Sequence, residues 1–251
     1  MIVDRSVMRA SWLGRVPYRP THELQRSLVE QRKADQIPNT LLLLEHENVI
    51  TLGRRADQTH LLMSGGLAAA NVAEIVETDR GGEATYHGPG QLVAYPIISI
   101  RELKFGPVAY VRILEETIIQ LLRGYGIAGH RVVGKSGVWI GGEPGSKPAV
   151  GDIPEGRKIA AIGVRISGGV AMHGMSLNVS TDLSLYSHIV PCGMPGVDVT
   201  SMERETGQQV SVERVGREWA ELFADVLFLD VEWRPASQFP EFQSAHVPVS
   251  V

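Results

Sequence analysis

The chain has 251 residues, and its 24 lysines and arginines against 28 aspartates and glutamates give a formal net charge of −4. The single cysteine excludes an intramolecular disulfide framework and a cysteine-rich zinc or iron–sulfur site within one chain. The acidic balance argues against a dedicated nucleic-acid-binding protein, and a composition of 43% hydrophobic and 21% charged residues argues against disorder.

The N-terminal segment and the hydropathy pattern predict a soluble, cytoplasmic protein. Residues 1–14 contain Asp4, Arg5 and Arg9 and no continuous apolar stretch, so we expect no signal peptide. The compact apolar run Leu41–Leu44 has the length of a strand, whereas a membrane-spanning helix needs about 18 or more apolar residues. We therefore expect neither a membrane nor a nucleic-acid partner.

The spacing of apolar residues predicts three amphipathic helices and seven strands. In chain order these are helix 21–35, strands 40–44, 49–52, 75–78 and 92–98, helix 107–123, strands 137–140, 158–166 and 170–178, and helix 212–227. Thr21 and Ser211 are predicted N-caps, and Pro107 suits a first helical turn. Several strands follow one another without a helix between them. This favours the α+β class, with a mixed, largely antiparallel sheet covered by helices, over a βαβ repeat.

The length of the chain is compatible with one or two domains of roughly 150 residues each. Segment 141–156, rich in glycine and proline, lies between two predicted strands. We interpret it as a long hairpin-like loop inside one domain and not as a linker. The prediction is therefore a single domain over residues 1–234, followed by a polar, proline-containing tail over residues 235–251.

The segment Arg80–Gln91 contains four glycines, a proline, an arginine and a histidine between two predicted strands. Glycine lets the backbone approach a ligand closely, and successive free N–H groups in such loops bind anions or oxyanions. A purely structural turn is the alternative interpretation. The accompanying Arg80, Thr85, Tyr86 and His87 favour a binding segment.

Two single residues are candidates for chemistry. Lys158 begins a strand of small apolar residues. It is either an exposed strand end or, beside a pocket, a group that stabilises a thiolate or moves protons. Cys192 lies between Pro191 and Gly193, outside any periodic apolar run. It is either a small buried apolar residue or an accessible nucleophile.

Other known motifs give little evidence of a function. Residues 129–136 read G-H-R-V-V-G-K-S and fit the P-loop pattern, which needs a strand before it and a helix after it. Here a predicted helix precedes the motif and a predicted strand follows, so we predict no nucleoside-triphosphate site. The histidine spacing predicts no metal site, and the lack of G-x-S-x-G gives a serine hydrolase little support. His173 is expected to be structural or to line the same cavity as the glycine-rich segment.

Five segments taken together resemble the octanoyltransferase family, the lipoyl/octanoyl-acyl-carrier-protein:protein transferases. In chain order they are R-G-G-x-x-T-Y-H-G-P-G-Q-L-V-x-Y-P-I at 80–97, G-K-S-G-V-W-I at 134–140, K-I-A-A-I-G-V-R at 158–165, H-G-x-S-L-N-V at 173–179 and I-V-P-C-G at 189–193. The resemblance extends over about residues 10–230. It implies a catalytic domain with a fold related to the biotin and lipoate protein ligases.

The resemblance also implies a reaction, its partners and its site residues. Octanoyl-acyl-carrier-protein is the implied donor in this first step of endogenous protein lipoylation. The implied acceptors are the lipoyl domains of 2-oxoacid dehydrogenase E2 subunits and the glycine-cleavage H protein, and no cofactor is implied. Cys192 matches the family's acyl-thioester nucleophile, and Lys158 matches the lysine that tunes its thiol. The substrate-contacting segments match Arg80, Gly81, Gly82, Glu83, Ala84, Thr85, Tyr86, His87, Ala161, Ile162, Gly163, Gly174, Met175 and Ser176.

The implied chemistry agrees with these residues. Transfer of an acyl group from a thioester to a lysine amine needs no ATP, because the amide product is more stable. An octanoyl chain needs an apolar groove, which we expect near Tyr86, Ile162 and Leu177. Three alternatives stay open: an ATP-dependent lipoate or biotin ligase of the same fold, a cysteine hydrolase, and a non-catalytic acyl-carrier-binding module.

Overall fold

The computed structural model describes residues 6–62, 72, 74–149 and 152–239, with the side chains of all of these except Gln58 and Cys192. Within this part of the chain the strands are β1 (Ser6–Val16), β2 (Asn39–His46), β3 (Val49–Leu52), β4 (Glu74–Glu77), β5 (Ala84–His87), β6 (Gln91–Ile97), β7 (Gly129–Val132), β8 (Lys135–Ile140), β9 (Arg157–Ser167), β10 (Val170–Asn178), β11 (Asp198–Val199) and β12 (Leu229–Trp233). The α-helices are α1 (Tyr18–Lys33), α2 (Pro107–Gly124), α3 (Met202–Thr206) and α4 (Val212–Val226).

Most of the described strands belong to one large sheet in the order β12-β1-β2-β6-β10-β9-β8-β7, with β11 paired to β9. β1 is parallel to β2 and to β12, and β11 is parallel to β9. The other neighbours in this sheet are antiparallel. A smaller sheet, β4-β3-β5, lies beside it. The predicted α+β class with a mixed, largely antiparallel sheet is confirmed.

The four-leucine run of β2 shows how the core is arranged. All four side chains have no exposed surface. Leu41 and Leu43 pack into a cluster with residues of α2 and α4, whereas Leu42 and Leu44 pack into a cluster with residues of α1. Because successive side chains of a strand point to opposite faces, an unbroken apolar run fits a strand that is covered on both faces.

The predicted helices are present, but the start of the first was placed wrongly. α1 begins at Tyr18, with Pro20 in its first turn, where a missing N–H removes no hydrogen bond. Thr21 is therefore inside the helix, and its hydroxyl donates to the carbonyl of Pro17 at 2.7 Å. The cap predicted at Ser211 is confirmed, since its side chain accepts from a backbone N–H in the first turn of α4.

The sequence patterns missed β1 and β12, which pair in parallel at one edge of the large sheet. In β1 the register with β2 shifts between Trp12 and Arg15, around Gly14 with its φ of 72°. This irregularity, together with the charged residues of the strand, breaks the alternation of apolar and polar residues on which strand prediction depends.

Two predictions concern the connections. The segment between β8 and β9 is a hairpin-like loop as expected, because the two strands pair antiparallel from Ile140 and Arg157. The predicted domain boundary at residue 234 stays a prediction. Phe239 packs into the α1-side core, and Gln238 Nε2 donates to Ser11 Oγ at 2.9 Å, while residues 240–251 of the predicted tail lie outside the described part.

A substitution at Gly174 on β10 tests how closely the strands of the large sheet pack. A Cβ at this position would lie 2.1 Å from the carbonyl oxygen of Ala94 on β6. We expect Gly174→Ala to lower the free energy of unfolding by roughly 1–3 kcal/mol, because the β6–β10 pairing must shift. Urea denaturation measures this difference.

The matched control is Gly124→Ala. Gly124 is the last residue of α2, and a Cβ there would meet no heavy atom of another described segment within 4 Å. We expect it to leave stability unchanged or to raise it by about 0.4–1 kcal/mol. Equal losses in both variants would contradict the steric explanation.

Candidate active site

Two adjoining cavities lie between the small sheet and the middle of the large sheet. The inner cavity is lined by Tyr18, Arg55, Arg80, Gly82, Glu83, Ala84, Thr85, His87, Tyr95, Ser136, Ala161, Ile162, Gly163, His173, Gly174, Met175 and Ser176. The outer cavity, of about 490 Å³, is lined by Arg55, Glu83, Gly134, Lys135, Ser136, Lys158, Gly193, Met194 and Pro195. Arg55, Glu83 and Ser136 line both, so the two cavities meet at these residues.

A buried guanidinium holds the glycine-rich segment against β3. Arg80 is 7% exposed, and its Nη2 donates to the carbonyl oxygen of Thr51 at 2.7 Å and to its hydroxyl at 2.9 Å. Its Nη1 donates to the carbonyl of Gly81 at 3.0 Å. Hydrogen bonds to a charged group are among the stronger ones, so they fix the position of the segment beside β3.

The same segment lies directly on β9. The N–H of Gly81 donates to the carbonyl of Val164 at 3.0 Å. A Cβ at Gly163 would lie 2.7 Å from the carbonyl oxygen of Gly81. Only glycine fits this contact, which brings Arg80–His87 and Ala161–Gly163 to one cavity wall.

The floor of the inner cavity contains neutral histidines. Burial lowers the pKa of His87 well below its ordinary value and lowers the pKa of His46 to about 4. His46 Nδ1 lies 2.9 Å from the carbonyl of Val16 and must donate to it, so its Nε2 accepts from the hydroxyl of Tyr95 at 2.8 Å. This chain of bonds fixes the imidazole tautomer behind the cavity.

His173 lies on β10 with a left-handed φ of 56° and lines the inner cavity. Its Nε2 donates to Asp79 at 2.8 Å, and Asp79 also pairs with Arg165 and Arg26. Burial, with the nearby arginines, lowers the pKa of His173 to about 3. His22, Asp79 and His173 have the donor atoms of a small metal site, but the two arginines already compensate the carboxylate.

Lys158 is 5% exposed, which excludes the interpretation as an exposed strand end. It lies on β9, with its Nζ 5.3 Å from the ring centroid of Trp139. A Cβ at Gly137 would lie 2.7 Å from Lys158 Cε, so the glycine of β8 makes room for the lysine stem. The ammonium therefore reaches the outer cavity along a path shaped by β8.

Cys192 lies in the 3₁₀ turn Pro191–Gly193. Gly193 lines the outer cavity together with Lys158, and Pro191 lines a small neighbouring cavity together with Lys158. Both chain neighbours of Cys192 thus share a cavity with the lysine. The N–H of Val190 donates to the carbonyl of His60 at 2.8 Å, which ties the turn to the chain after β3.

The P-loop-like motif is a β-hairpin. Its residues lie in β7, in the turn around Gly134 and at the start of β8, and the two strands pair antiparallel. No helix follows the motif, so it does not form the phosphate-binding loop whose sequence it matches. This confirms the strand that the sequence predicts after the motif.

Most of the sequence-predicted contact residues line the inner cavity, with two exceptions. Gly81 instead accepts from Arg80 and donates to Val164 of β9, as described above. Tyr86 points away from the cavity, and its hydroxyl donates to Asn48 Oδ1 at 2.7 Å. Leu177, expected beside the acyl groove, instead packs in the core under α2 and α4.

Sequence reasoning missed several cavity residues that come from distant segments. They are Tyr18, Arg55, Tyr95 and Ser136, together with His60 beside Gly193. Tyr95 and Ser136 belong to the motifs at 80–97 and 134–140, whereas no motif singles out Tyr18, Arg55 or His60.

Comparison with known proteins agrees with this geometry. Residues 17–224 match the family described as the lipoyl protein ligase A/B catalytic domain. An octanoyltransferase of Koribacter versatilis is 46% identical over 205 residues, which cover 81% of this chain and 77% of that one. An octanoyltransferase of Acidobacterium capsulatum is 43% identical over 246 residues, which cover 94% and 97%. The chain belongs to the octanoyltransferase family.

As an octanoyltransferase-family member the chain is a transferase enzyme, which confirms the predicted reaction class. Solved structures of lipoate ligases share its fold. A bipartite lipoate protein ligase of Thermoplasma acidophilum gives a TM-score of 0.66 at 17% identity, covering 95% of this chain and 93% of that one. A lipoate-protein ligase A bound with ATP gives 0.65 at 17% identity, covering 95% of each chain. None of the described helices is long and apolar enough to cross a membrane.

The buried histidines predict that acid destabilises this octanoyltransferase-family protein. Burial lowers the pKa of His46 to about 4 in the folded state from an ordinary value of 6.5, so between these pH values the unfolded chain binds more protons. The free energy of unfolding should therefore fall as the pH falls from about 6.5 to about 4, by on the order of 1–3 kcal/mol from His46 alone.

Urea denaturation at several pH values between about 7 and about 5 gives the slope of the free energy of unfolding against pH. We expect His46→Gln, which cannot gain a proton, to reduce it. The matched control is His188→Gln, at a half-buried histidine of the turn Leu183–His188. If the slope were unchanged in His46→Gln, His46 would not be a source of the loss of stability in acid.

Proposed function

We propose that Cys192 takes the octanoyl group from octanoyl-acyl-carrier-protein as a thioester and passes it to a specific lysine of an apo-lipoyl domain. The observation that carries this proposal is the shared outer cavity of Lys158 and Gly193, which joins the inner cavity at Glu83. The backbone at position 192 is therefore next to the cavity that the buried Lys158 lines, and this cavity joins the proposed acyl site.

The inner cavity is the proposed acyl site. Ala84, Ala161, Ile162 and Met175 supply apolar surface, and the buried histidines of its floor are uncharged at neutral pH. Each buried methylene contributes about 0.8 kcal/mol, so the six of an octanoyl chain are worth up to roughly 5 kcal/mol.

In the first half-reaction the thiolate of Cys192 attacks the thioester carbonyl of the donor. The new C–S bond forms as the old one breaks, and the carrier thiol leaves with a proton that Lys158 supplies. The nearby ammonium raises the thiolate fraction, since a free thiol has a pKa of about 8.5. Because the N–H of Gly81 is already donated to Val164, the oxyanion donors must come from other residues of the segment.

In the second half-reaction the lysine amine of the acceptor attacks the acyl-enzyme. A C–N bond forms, the C–S bond of Cys192 breaks, and the amide product leaves. The proposed acceptors are the lipoyl domains of 2-oxoacid dehydrogenase E2 subunits and the glycine-cleavage H protein. The bipartite ligase of T. acidophilum, which shares the fold, is described together with an E2 lipoyl domain.

The nucleophile is tested by intact-mass analysis of the acyl-enzyme. We expect octanoyl-acyl-carrier-protein to add one octanoyl group to the wild type without ATP, and apo-lipoyl domain to remove it. Cys192→Ser should gain no octanoyl group, because its hydroxyl is not ionised at neutral pH. An octanoyl adduct on this variant, or a requirement for ATP, would contradict the proposal, and the ATP requirement would favour the ligase alternative.

Lys158 is tested separately. We expect Lys158→Ala to slow both acylation and alkylation of Cys192 by a small reagent, by roughly 10²-fold for acylation. Lys135→Ala, at the other lysine of the outer cavity, is the matched comparison and should leave alkylation of Cys192 nearly unchanged. Unchanged reactivity in Lys158→Ala would reduce the lysine to a structural role.

A further inference from the structure

Glu83 lies where the inner and outer cavities meet. The described residues that line the outer cavity include three cationic side chains, Arg55, Lys135 and Lys158, and one carboxylate, that of Glu83. An acceptor lysine that enters this cavity as an ammonium therefore meets one anion among cations. The cations also favour loss of a proton from the incoming ammonium.

One oxygen of this carboxylate is available for a further hydrogen bond. Glu83 Oε2 is buried and has no hydrogen-bond partner among the described residues. The side chain is 17% exposed. Its Oε1 lies 3.5 Å from Arg55 Nε, and its Oε2 lies 3.7 Å from His60 Nδ1. A buried carboxylate oxygen without a partner is costly, so a substrate donor that pairs with it gains free energy.

The carboxylate is also held beside the nucleophile turn. A Cβ at Gly193 would lie 3.1 Å from Glu83 Cγ and 3.3 Å from His60 Cε1. The backbone next to Cys192 is thus in contact range of both side chains. An amine nitrogen paired with Glu83 is therefore placed close to the backbone that carries the acyl-thioester.

We propose that Glu83 is the catalytic base of the second half-reaction, which binds the acceptor lysine as an ammonium and takes its proton. This inference rests on the proposed function and adds a residue to it. His60 is a positioning residue, because it acts through its contact with Glu83 and Gly193.

Proton transfer comes first in this step. One N–H bond of the ammonium breaks, and its proton moves to the carboxylate of Glu83. The neutral amine then attacks the thioester carbonyl, the C–N bond forms, the C–S bond breaks, and the Cys192 thiolate leaves. The amide nitrogen loses a second proton, which returns through Lys158 to the thiolate or to solvent. No oxidant or reductant is needed.

The test isolates the octanoyl-enzyme and measures its discharge in a single turnover. We expect Glu83→Gln to form the acyl-enzyme as the wild type does and to transfer it to apo-lipoyl domain roughly 10²-fold more slowly. Hydroxylamine replaces the lipoyl domain in a second arm. Because hydroxylamine is uncharged at neutral pH, it needs no prior deprotonation, and Glu83→Gln should discharge to it at nearly the wild-type rate.

Two further variants complete the design. Glu83→Asp keeps the carboxylate on a shorter stem and should recover part of the transfer rate. Glu74 is a half-buried residue of β4 in the small sheet, and its carboxylate pairs with Arg19. The control variant Glu74→Gln should transfer the octanoyl group as the wild type does. Thermal unfolding shows whether each variant is folded.

Several results would overturn the inference. Wild-type transfer by Glu83→Gln would show that another group takes the proton. An equal loss towards hydroxylamine, or a failure of Glu83→Gln to become acylated, would assign Glu83 to structure or to donor binding. A wild type that forms no acyl-enzyme would instead contradict the proposed function itself.

Discussion

The site depends on the hydrogen bonds that the buried guanidinium of Arg80 donates. Arg80 lies on the connection between β4 and β5 of the small sheet, and its hydrogen bonds to Thr51 and Gly81 hold that connection in one conformation. The backbone N–H groups of residues 53–55 donate to the carbonyls of residues 80, 82 and 83, and these bonds hold the same connection against the chain that follows β3. Because it is costly to remove hydrogen-bond acceptors from a buried guanidinium, the surrounding structure strongly favours this one arrangement.

Close backbone contacts extend this arrangement into the large sheet. Gly163 and Gly174 occupy positions where a Cβ would meet a carbonyl oxygen of a neighbouring segment. The space that the missing side chains leave lets the glycine-rich segment approach β9 and keeps β10 tightly paired to β6. The cavities are therefore bounded by backbone of low conformational freedom, which suits a site that must orient a flexible acyl chain.

The linings of the two cavities differ. The inner cavity is bordered by apolar side chains, by histidines whose pKa values burial lowers, and by Arg80, whose guanidinium is bonded to Thr51 and Gly81. The outer cavity carries Arg55, Lys135 and Lys158 around Glu83. Under the proposed function the apolar part of the inner cavity receives hydrocarbon, whereas the outer cavity stabilises anions and controls protons. The turn that contains Cys192 borders the outer cavity through Gly193.

The sequence by itself determined the family, the α+β class, the three long helices and most segments of the site. These features are local, because apolar periodicity, glycine runs and contiguous motifs are visible along the chain. The tertiary structure decided what comes together from far apart, including Tyr18, Arg55 and His60 at the cavities and the turning of Tyr86 away from them. It also decided that Lys158 is buried, because burial depends on the packing of β8 and β9 and not on the neighbours of the lysine in the sequence.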